Sequence, residues 1–145
     1  MKTLILGSSG KIGKFFSKKN KNFVLTYYKN KILKGIKFNL NKDSISHVIN
    51  KFNIKKVIIL SAYSEPDFCF KYIKKSQRVN VQSTQNIIKT LIKKNIYFIF
   101  FSTEFVYDGK NKNYKEISKT KPNTIYGNQK LTVEKFIKKN TDNYA

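Results

Sequence analysis

The stretch Leu4-Ile5-Leu6-Gly7-Ser8-Ser9-Gly10-Lys11-Ile12-Gly13 places three glycines in the spacing G-x-x-G-x-x-G, directly after a short apolar run. A glycine loop that follows a strand and opens a helix is typical of a dinucleotide-binding βαβ unit. Gly7 permits a tight turn, Gly10 lets the backbone approach a pyrophosphate, and Gly13 allows the helix to pack closely on the strand. The helix N-terminus offers free N–H groups to the phosphates. The alternative is a glycine-rich turn that binds no ligand.

Around this loop, short apolar runs alternate with amphipathic segments. This pattern predicts a Rossmann-like α/β fold, a doubly wound parallel sheet with helices on both faces, and we expect residues 1–145 to form one NAD(P)-binding domain. The strands are predicted at Thr3–Leu6, Phe23–Tyr27, Ile36–Leu40, Val57–Leu60 and Ile96–Phe101. The helices are predicted at Lys11–Lys19, at Asp43–Phe52, at Arg78–Lys94 and, after Pro122, through Ile137, with a polar loop at Lys110–Lys121.

The net charge of +22 suggests a nucleic-acid partner, but its pattern argues against one. Arg78 is the only arginine, whereas proteins that read bases or phosphates usually rely on arginine for bidentate contacts. The lysines are dispersed, and a genome biased towards A/T-rich codons explains their number. We therefore expect no nucleic-acid function beyond non-specific charge attraction.

Other features exclude several classes of protein. No apolar run approaches the roughly 20 residues of a membrane span, and the apolar run after Met1-Lys2 is too short for a signal peptide, so we expect a cytoplasmic protein without a membrane partner. Cys69 is predicted to be a small buried side chain and His47 a surface residue. One histidine, one cysteine and scattered carboxylates predict no metal site.

A second motif supports a redox function. Tyr126 and Lys130 lie four residues apart and share one face of a helix if the segment is helical. An ammonium beside a phenol favours the phenolate and lowers the pKa of the tyrosine. Such a tyrosine exchanges a proton with a carbonyl or alcohol near neutral pH. The pair therefore predicts a general acid next to a hydride carrier bound at the glycine loop.

The end of the second strand bears on the choice of cofactor. Proteins that bind NAD usually place an acidic residue there, for the ribose 2′-hydroxyl. Leu25-Thr26-Tyr27-Tyr28-Lys29-Asn30 contains no acid, and Lys29 or Lys31 is available for a 2′-phosphate. We expect NADP or NAD, with NADP favoured.

Four further segments carry a resemblance to a known family: Ser61-Ala62-Tyr63, Val79-Asn80-Val81, Ser102-Thr103-Glu104-Phe105-Val106-Tyr107-Asp108-Gly109 and Pro122-Asn123-Thr124-Ile125-Tyr126-Gly127-Asn128-Gln129-Lys130-Leu131-Thr132-Val133-Glu134. Together with the glycine loop, the chain resembles the N-terminal portion of an extended short-chain dehydrogenase/reductase, more narrowly of the dTDP-4-dehydrorhamnose reductase (RmlD-like) group. Phe-Val-Tyr-Asp-Gly argues against epimerases and dehydratases, which usually end this segment in Val-Tyr-Gly. Glu104 and Val133 depart from the aspartate and glycine of the group's pattern.

The resemblance implies reduction of a 4-keto sugar nucleotide by NAD(P)H. Tyr126 would protonate the C4 oxygen, Lys130 would lower its pKa and hold the nicotinamide ribose, and Thr103 would hydrogen-bond the same oxygen. Asn39 would lie near the adenine. In all, the predicted cofactor-binding residues are Gly7, Ser9, Gly10, Lys11, Ile12, Gly13, Lys29, Asn39, Leu40, Ser61, Ala62, Tyr63, Asn80, Tyr126 and Lys130.

Three alternatives stay open. The first is a non-catalytic dinucleotide-binding subunit, as in relatives that resemble the regulatory subunit of methionine adenosyltransferase. The second is an epimerase or dehydratase of the same superfamily, and the third is a basic polyanion binder. Members of the reductase group are about twice as long, so we expect a truncated chain that lacks most of the sugar-nucleotide pocket, with a possible homodimer. Asp142–Ala145 reads as the entry to a further strand beside Ile96–Phe101, which is otherwise an exposed edge.

Overall fold

The computed structural model describes residues 1–17 and 22–145. Its strands are β1 (Lys2–Leu6), β2 (Phe23–Tyr27), β3 (Ile36–Lys37), β4 (Ile54–Ile59) and β5 (Tyr97–Phe100). Its helices are α1 (Lys11–Ser17), α2 (Ile45–Phe52), α3 (Pro66–Lys71), α4 (Ile73–Gln77), α5 (Thr84–Lys93) and α6 (Ile125–Asn140), with a π-helix at Arg78–Ser83 and a 3₁₀-helix at Glu104–Val106.

The strands of the described residues form one parallel sheet in the order β3-β2-β1-β4-β5. The register aligns Leu4 of β1 with Val24 of β2 and with Val57 of β4. The chain leaves β1 towards one edge of the sheet and returns to β4 on its other side. Such a switch point leaves a crevice at the carboxyl ends of the central strands, where doubly wound sheets bind their ligands. The predicted fold class is confirmed.

The core lies where the helices cover the central strands. Leu4, Val57 and Phe98, from three neighbouring strands, are fully buried. In α2 and α5 the apolar residues recur at helical spacing, and Ile49 and Leu91 are buried against the sheet. Burial of apolar side chains on both faces of a parallel sheet explains why its strands read as continuous apolar runs.

The region between β4 and α5 differs from the prediction. Helices α3 and α4 were not predicted, and the predicted helix Arg78–Lys94 begins as a π-helix before continuing as α5. Glu65 occupies the N-cap position of α3 without a side-chain capping hydrogen bond. Pro66 at the first position and Asp67 in the first turn are helix-start signals, which a search for apolar periodicity does not detect.

Other differences are confined to element ends. Strand β3 is shorter than the predicted Ile36–Leu40, and β4 begins earlier than Val57. The last two residues of the predicted helix Lys11–Lys19 lie outside the described residues.

The edge of the sheet at β5 carries the start of a further pairing. Phe98 and Tyr144 form a parallel bridge, in which Ala145 N donates to Phe98 O at 3.0 Å and Phe100 N donates to Ala145 O at 2.8 Å. The expected strand entry at Asp142–Ala145 is thus confirmed.

Candidate active site

A cleft of about 1130 Å³ opens at the carboxyl ends of β1, β2 and β4. It is bordered by the glycine loop on one side and by α6 on the other. Among the residues that line it are fourteen of those predicted from the sequence: Gly7, Ser9, Gly10, Lys11, Ile12, Gly13, Lys29, Asn39, Leu40, Ser61, Ala62, Tyr63, Tyr126 and Lys130. The fold therefore brings most of the predicted site to one place.

The glycine loop has the geometry that its spacing predicts. Gly7 has a φ of 91°, which L side chains rarely adopt. A Cβ on Gly13 would lie 2.5 Å from Ser8 Cα, so any side chain there would push α1 away from the loop. Buried Ser8 and Thr26 tie the loop to β2, because Thr26 N donates to Ser8 Oγ at 3.1 Å and Gly7 N donates to Thr26 Oγ1 at 3.2 Å.

The end of β2 presents Lys29 to the cleft as an exposed cation, while Lys31 does not line it. Asn39 follows β3 and also lines the cleft. Its backbone N–H donates to Asp43 Oδ2 at 2.7 Å and its Oδ1 accepts from Asn41 N at 2.9 Å, which fixes the turn before α2.

Asn80 does not line the cleft. It is 2% exposed and holds the backbone of Tyr63 in both directions: Tyr63 N donates to Asn80 Oδ1 at 2.8 Å, and Asn80 Nδ2 donates to Tyr63 O at 2.9 Å. Asn80 stays a predicted cofactor-binding residue, but its buried side chain, on the π-helix, faces the protein interior in this structure. Its contact with the cleft runs through Tyr63.

Tyr126 and Lys130 both line the cleft from α6, and they are 7% and 5% exposed. Burial lowers the pKa of Lys130 to about 8, and Glu134 opposes this shift. The Lys130 ammonium donates to Phe101 O and lies 4.0 Å from the centroid of the Phe100 ring. This side chain therefore carries most of its charge at pH 7 while it contacts the end of β5.

The pKa of Tyr126 is shifted in the direction opposite to the prediction. Burial raises the pKa of its phenol, with smaller contributions from Cys69 and Glu104 in the same direction. Among the described residues, Lys130 is not one of the groups that shift the pKa of Tyr126, although it was expected to lower that pKa. Helical spacing sets the neighbouring positions of the two side chains, but the long lysine side chain turns to Phe101 O instead.

Thr103 is half-buried at the start of the 3₁₀-helix and is not among the residues that line the cleft. Its Oγ1 accepts from Phe105 N at 3.3 Å and donates to Glu104 Oε2 at 3.2 Å. Its neighbour Ser102 does line the cleft and donates a hydrogen bond to Glu134 Oε1. The predicted contact between Thr103 and a substrate oxygen therefore needs its hydroxyl to turn from Glu104.

Several residues of the cleft were not predicted from the sequence. Lys74 and Lys75 of the unpredicted α4, and Arg78 directly after it, add three exposed cations to the cleft wall. Lys75 Nζ lies 5.9 Å from the ring centroid of Tyr63 and 5.7 Å from that of Phe68. Only the helix-start signal at Pro66 pointed to this segment.

The predictions for two single side chains, Cys69 and His47, are confirmed. Cys69 is fully buried and His47 is exposed, as predicted. Within residues 1–17 and 22–145, no group of three or more His, Cys, Asp or Glu side chains is arranged to hold a metal ion. Among the same residues, no helix is both long and apolar enough to cross a membrane.

Two curated relatives illustrate the similarity in sequence. The β subunit of methionine adenosyltransferase 2 from Bos taurus is 26% identical over 144 residues, covering 96% of this chain and 43% of that protein. A dTDP-4-dehydrorhamnose reductase from Aggregatibacter actinomycetemcomitans is 30% identical over 98 residues, covering 67% of this chain and 33% of that protein. The chain thus spans less than half the length of these relatives.

Solved structures give the same result for the fold. A hypothetical dTDP-4-dehydrorhamnose reductase from Sulfolobus tokodaii superposes with a TM-score of 0.83 at 28% identity, covering 94% of this chain and 51% of that one. A dTDP-4-dehydrorhamnose reductase from Bacillus anthracis, solved in complex with NADP, superposes with a TM-score of 0.81 at 21% identity, covering 99% and 52%.

The family model for the RmlD substrate binding domain matches residues 1–145. This match extends over the glycine loop, the segment after β4 and the Tyr126–Lys130 pair, which are the motifs on which the resemblance in sequence rests. The chain therefore belongs to the RmlD substrate binding domain family.

Proposed function

We propose that this chain is the cofactor-binding part of an NAD(P)H-dependent reductase that acts on a 4-keto sugar nucleotide. The observation that carries the proposal is the single cleft that the glycine loop shares with Tyr126 and Lys130. A hydride carrier and a proton donor must both face the reacting carbonyl, and residues from distant parts of the chain meet here in that arrangement.

The residues have complementary roles in this proposal. When bound, a reduced nicotinamide supplies a hydride to the carbonyl carbon. Tyr126 donates its phenolic proton to the carbonyl oxygen, which yields the alcohol. The charge of Lys130 stabilises the phenolate that remains on Tyr126 once the ammonium moves from Phe101 O towards it. Thr103 hydrogen-bonds the substrate oxygen once its hydroxyl turns from Glu104.

We further propose that NADP is preferred to NAD. The support is the exposed cation of Lys29 in the cleft, together with the lack of an acid at the end of β2. The NADP complex of the Bacillus anthracis reductase, a protein of the same fold, is consistent with this choice.

The first experiment is a titration of the chain with NADPH, followed by nicotinamide fluorescence. We expect saturable binding, and no binding of NADPH or NADH at millimolar levels would overturn the proposal. Because the match spans about half of each relative, cofactor binding is the part of the proposal that this chain tests alone.

The second experiment tests proton transfer on a preparation that reduces a 4-keto sugar nucleotide. We expect Tyr126→Phe to retain NADPH binding and to lose at least about a hundredfold in turnover, because general acid catalysis contributes roughly 10²–10⁴-fold. Unchanged turnover would refute the role of Tyr126.

A second candidate function is a regulatory dinucleotide-binding subunit, favoured by the 26% identity over 144 residues to the β subunit of methionine adenosyltransferase 2. Under this alternative the chain binds NADP(H) but reduces no sugar nucleotide. The chain would instead bind a methionine adenosyltransferase catalytic subunit, which size-exclusion chromatography of the mixture detects.

A further inference from the structure

A buried polar chain joins α6 to the wall of the cleft. Gln129 lies on α6 between Tyr126 and Lys130 and is 2% exposed. Its Oε1 accepts a hydrogen bond from Asn80 Nδ2 at 2.8 Å, and its Nε2 donates to Ser76 Oγ at 2.9 Å. A single side chain thus connects α6 with the end of α4 and with the π-helix.

The same Asn80 amide holds the cleft wall. It accepts from Tyr63 N and donates to Tyr63 O, while Cys69 Sγ also donates to Tyr63 O at 3.2 Å. Tyr63 itself lines the cleft. The hydrogen bonds therefore run without interruption from Gln129 through Asn80 to the backbone of a cleft residue.

Burial of these polar side chains costs free energy unless each of them has a hydrogen-bond partner. An amide in the interior loses its hydrogen bonds to water, and a buried polar network contributes to a unique structure only when each member has a partner. Among the described residues no buried side-chain nitrogen or oxygen lacks one. Removing the polar atoms of Gln129 would leave a donor of Asn80 unpaired and loosen its hold on Tyr63.

We propose that Gln129 is a positioning residue, which acts through Asn80 to hold the cleft wall at Tyr63 in register with Tyr126 and Lys130 on α6. This inference rests on the proposed function, since the register matters only if a cofactor binds against Tyr63 while it faces Tyr126. The proposal gives Gln129, which lies between Tyr126 and Lys130, a role that the spacing of that pair does not require.

The test compares Gln129→Met with Val133→Ala in the full chain. Methionine is close to glutamine in length but forms neither hydrogen bond, whereas Val133 is a fully buried apolar residue on the same helix and does not belong to the network. Native-state hydrogen exchange, followed by NMR, measures the protection of the Tyr63 amide. Global stability of each variant is measured by urea unfolding.

We expect the Tyr63 amide to lose about tenfold or more of its protection in Gln129→Met beyond the loss due to global stability, and Val133→Ala to show no such excess. The affinity for NADPH is expected to weaken severalfold in Gln129→Met only. Asn80→Ala, which removes both bonds to Tyr63, should give at least the same excess exchange.

Two outcomes would overturn the inference: equal Tyr63 protection in Gln129→Met and Val133→Ala after correction for stability, or a normal NADPH affinity in Gln129→Met. If Gln129→Met fails to fold while Asn80→Ala folds with a fully protected Tyr63 amide, the inference also fails. Lack of NADPH binding by the unmodified chain would instead refute the proposed function. The hydrogen-exchange result would still report on the link from Gln129 through Asn80 to Tyr63.

Discussion

At Tyr126 and Lys130, burial favours the neutral form of both side chains. It raises the pKa of the phenol and lowers that of the ammonium to about 8. A spacing of four residues predicts that they share a helix face, but it does not predict where a flexible lysine directs its charge. Here the charge is directed to Phe101 O at the end of β5. Any acidification of Tyr126 then depends on movement of the Lys130 ammonium towards it.

The buried ammonium of Lys130 predicts a pH-dependent stability. The folded chain loses this proton near pH 8, whereas the unfolded chain holds it up to the ordinary lysine pKa of 10.5. Between these values the unfolded state binds more protons, so the free energy of unfolding rises with pH. Integrated over the window, this group contributes a rise of about 3 kcal/mol, at 1.36 kcal/mol for each pKa unit.

Lys130→Met should remove that rise. Urea unfolding at pH 7 and pH 10 is expected to show the original chain gaining about 2–3 kcal/mol relative to the variant. Lys135→Met, at an exposed position of the same helix, is the matched control and should leave the difference constant. A difference between Lys130→Met and the original chain that does not change with pH would show that burial of the ammonium carries no cost.

Lys29 provides a test of cofactor choice at the same scale. An exposed lysine beside a phosphate contributes about 1 kcal/mol, so we expect Lys29→Ala to weaken NADPH binding about fivefold and to leave NADH binding unchanged. Lys31→Ala is the control, because Lys31 does not line the cleft. Fluorescence titrations with both cofactors measure the effect, and an equal loss for NADPH and NADH would exclude selective contact with the 2′-phosphate.

At the scale of elements, the glycine loop and α1 allow the effect of a glycine on folding stability to be measured separately from the effect of another on NADPH binding. A Cβ on Gly13 would meet the backbone of Ser8, whereas a Cβ on Gly10 would be in ordinary contact, 3.4 Å from Gly7 O. We expect Gly13→Ala to lower the melting temperature by several degrees, since overpacking typically costs about 1–3 kcal/mol. Gly10→Ala should fold normally but bind NADPH at least tenfold more weakly, because its methyl group would face the proposed position of the pyrophosphate.

Circular dichroism melting and cofactor titration on both variants separate the two effects. A normal melting temperature for Gly13→Ala would show that α1 is free to move away from β1. Tight NADPH binding by Gly10→Ala would show that the pyrophosphate does not bind at the glycine loop.

How much of the fold the sequence predicts depends on the kind of element. Buried parallel strands such as β1 and β4 read directly as apolar runs, and α2 carries its periodicity over a full eight residues. Helices α3 and α4 are short, and their exposed apolar residues Phe70 and Ile73 obscure any single apolar face. Helix α3 packs against α4 and α6, and α4 packs against the π-helix; a local sequence pattern does not contain these tertiary contacts.

The candidate site divides in the same way. Glycine spacing and the Tyr126–Lys130 pair are local signals, and the fold brings their residues to one cleft as expected. The cofactor contact of Asn80 is a prediction from the resemblance, and the sequence does not reveal that Asn80 lies on a π-helix with its side chain buried. Lys74 and Lys75 were not predicted as part of the cleft because α4, which carries them, was not predicted.

At the scale of the whole molecule, the charge of +22 makes a prediction about polyanions. Counterion release from DNA favours binding of any strongly basic chain, and the affinity falls steeply as salt rises. With dispersed lysines and Arg78 as the only arginine, this chain should bind duplexes of different sequence equally, with dissociation constants of about 10⁻⁴ to 10⁻⁶ M at physiological salt. Fluorescence anisotropy with two unrelated duplexes at 50 and 200 mM salt measures both properties. Submicromolar affinity at 200 mM salt, or a clear preference for one duplex, would establish a specific nucleic-acid function and displace charge attraction as the explanation.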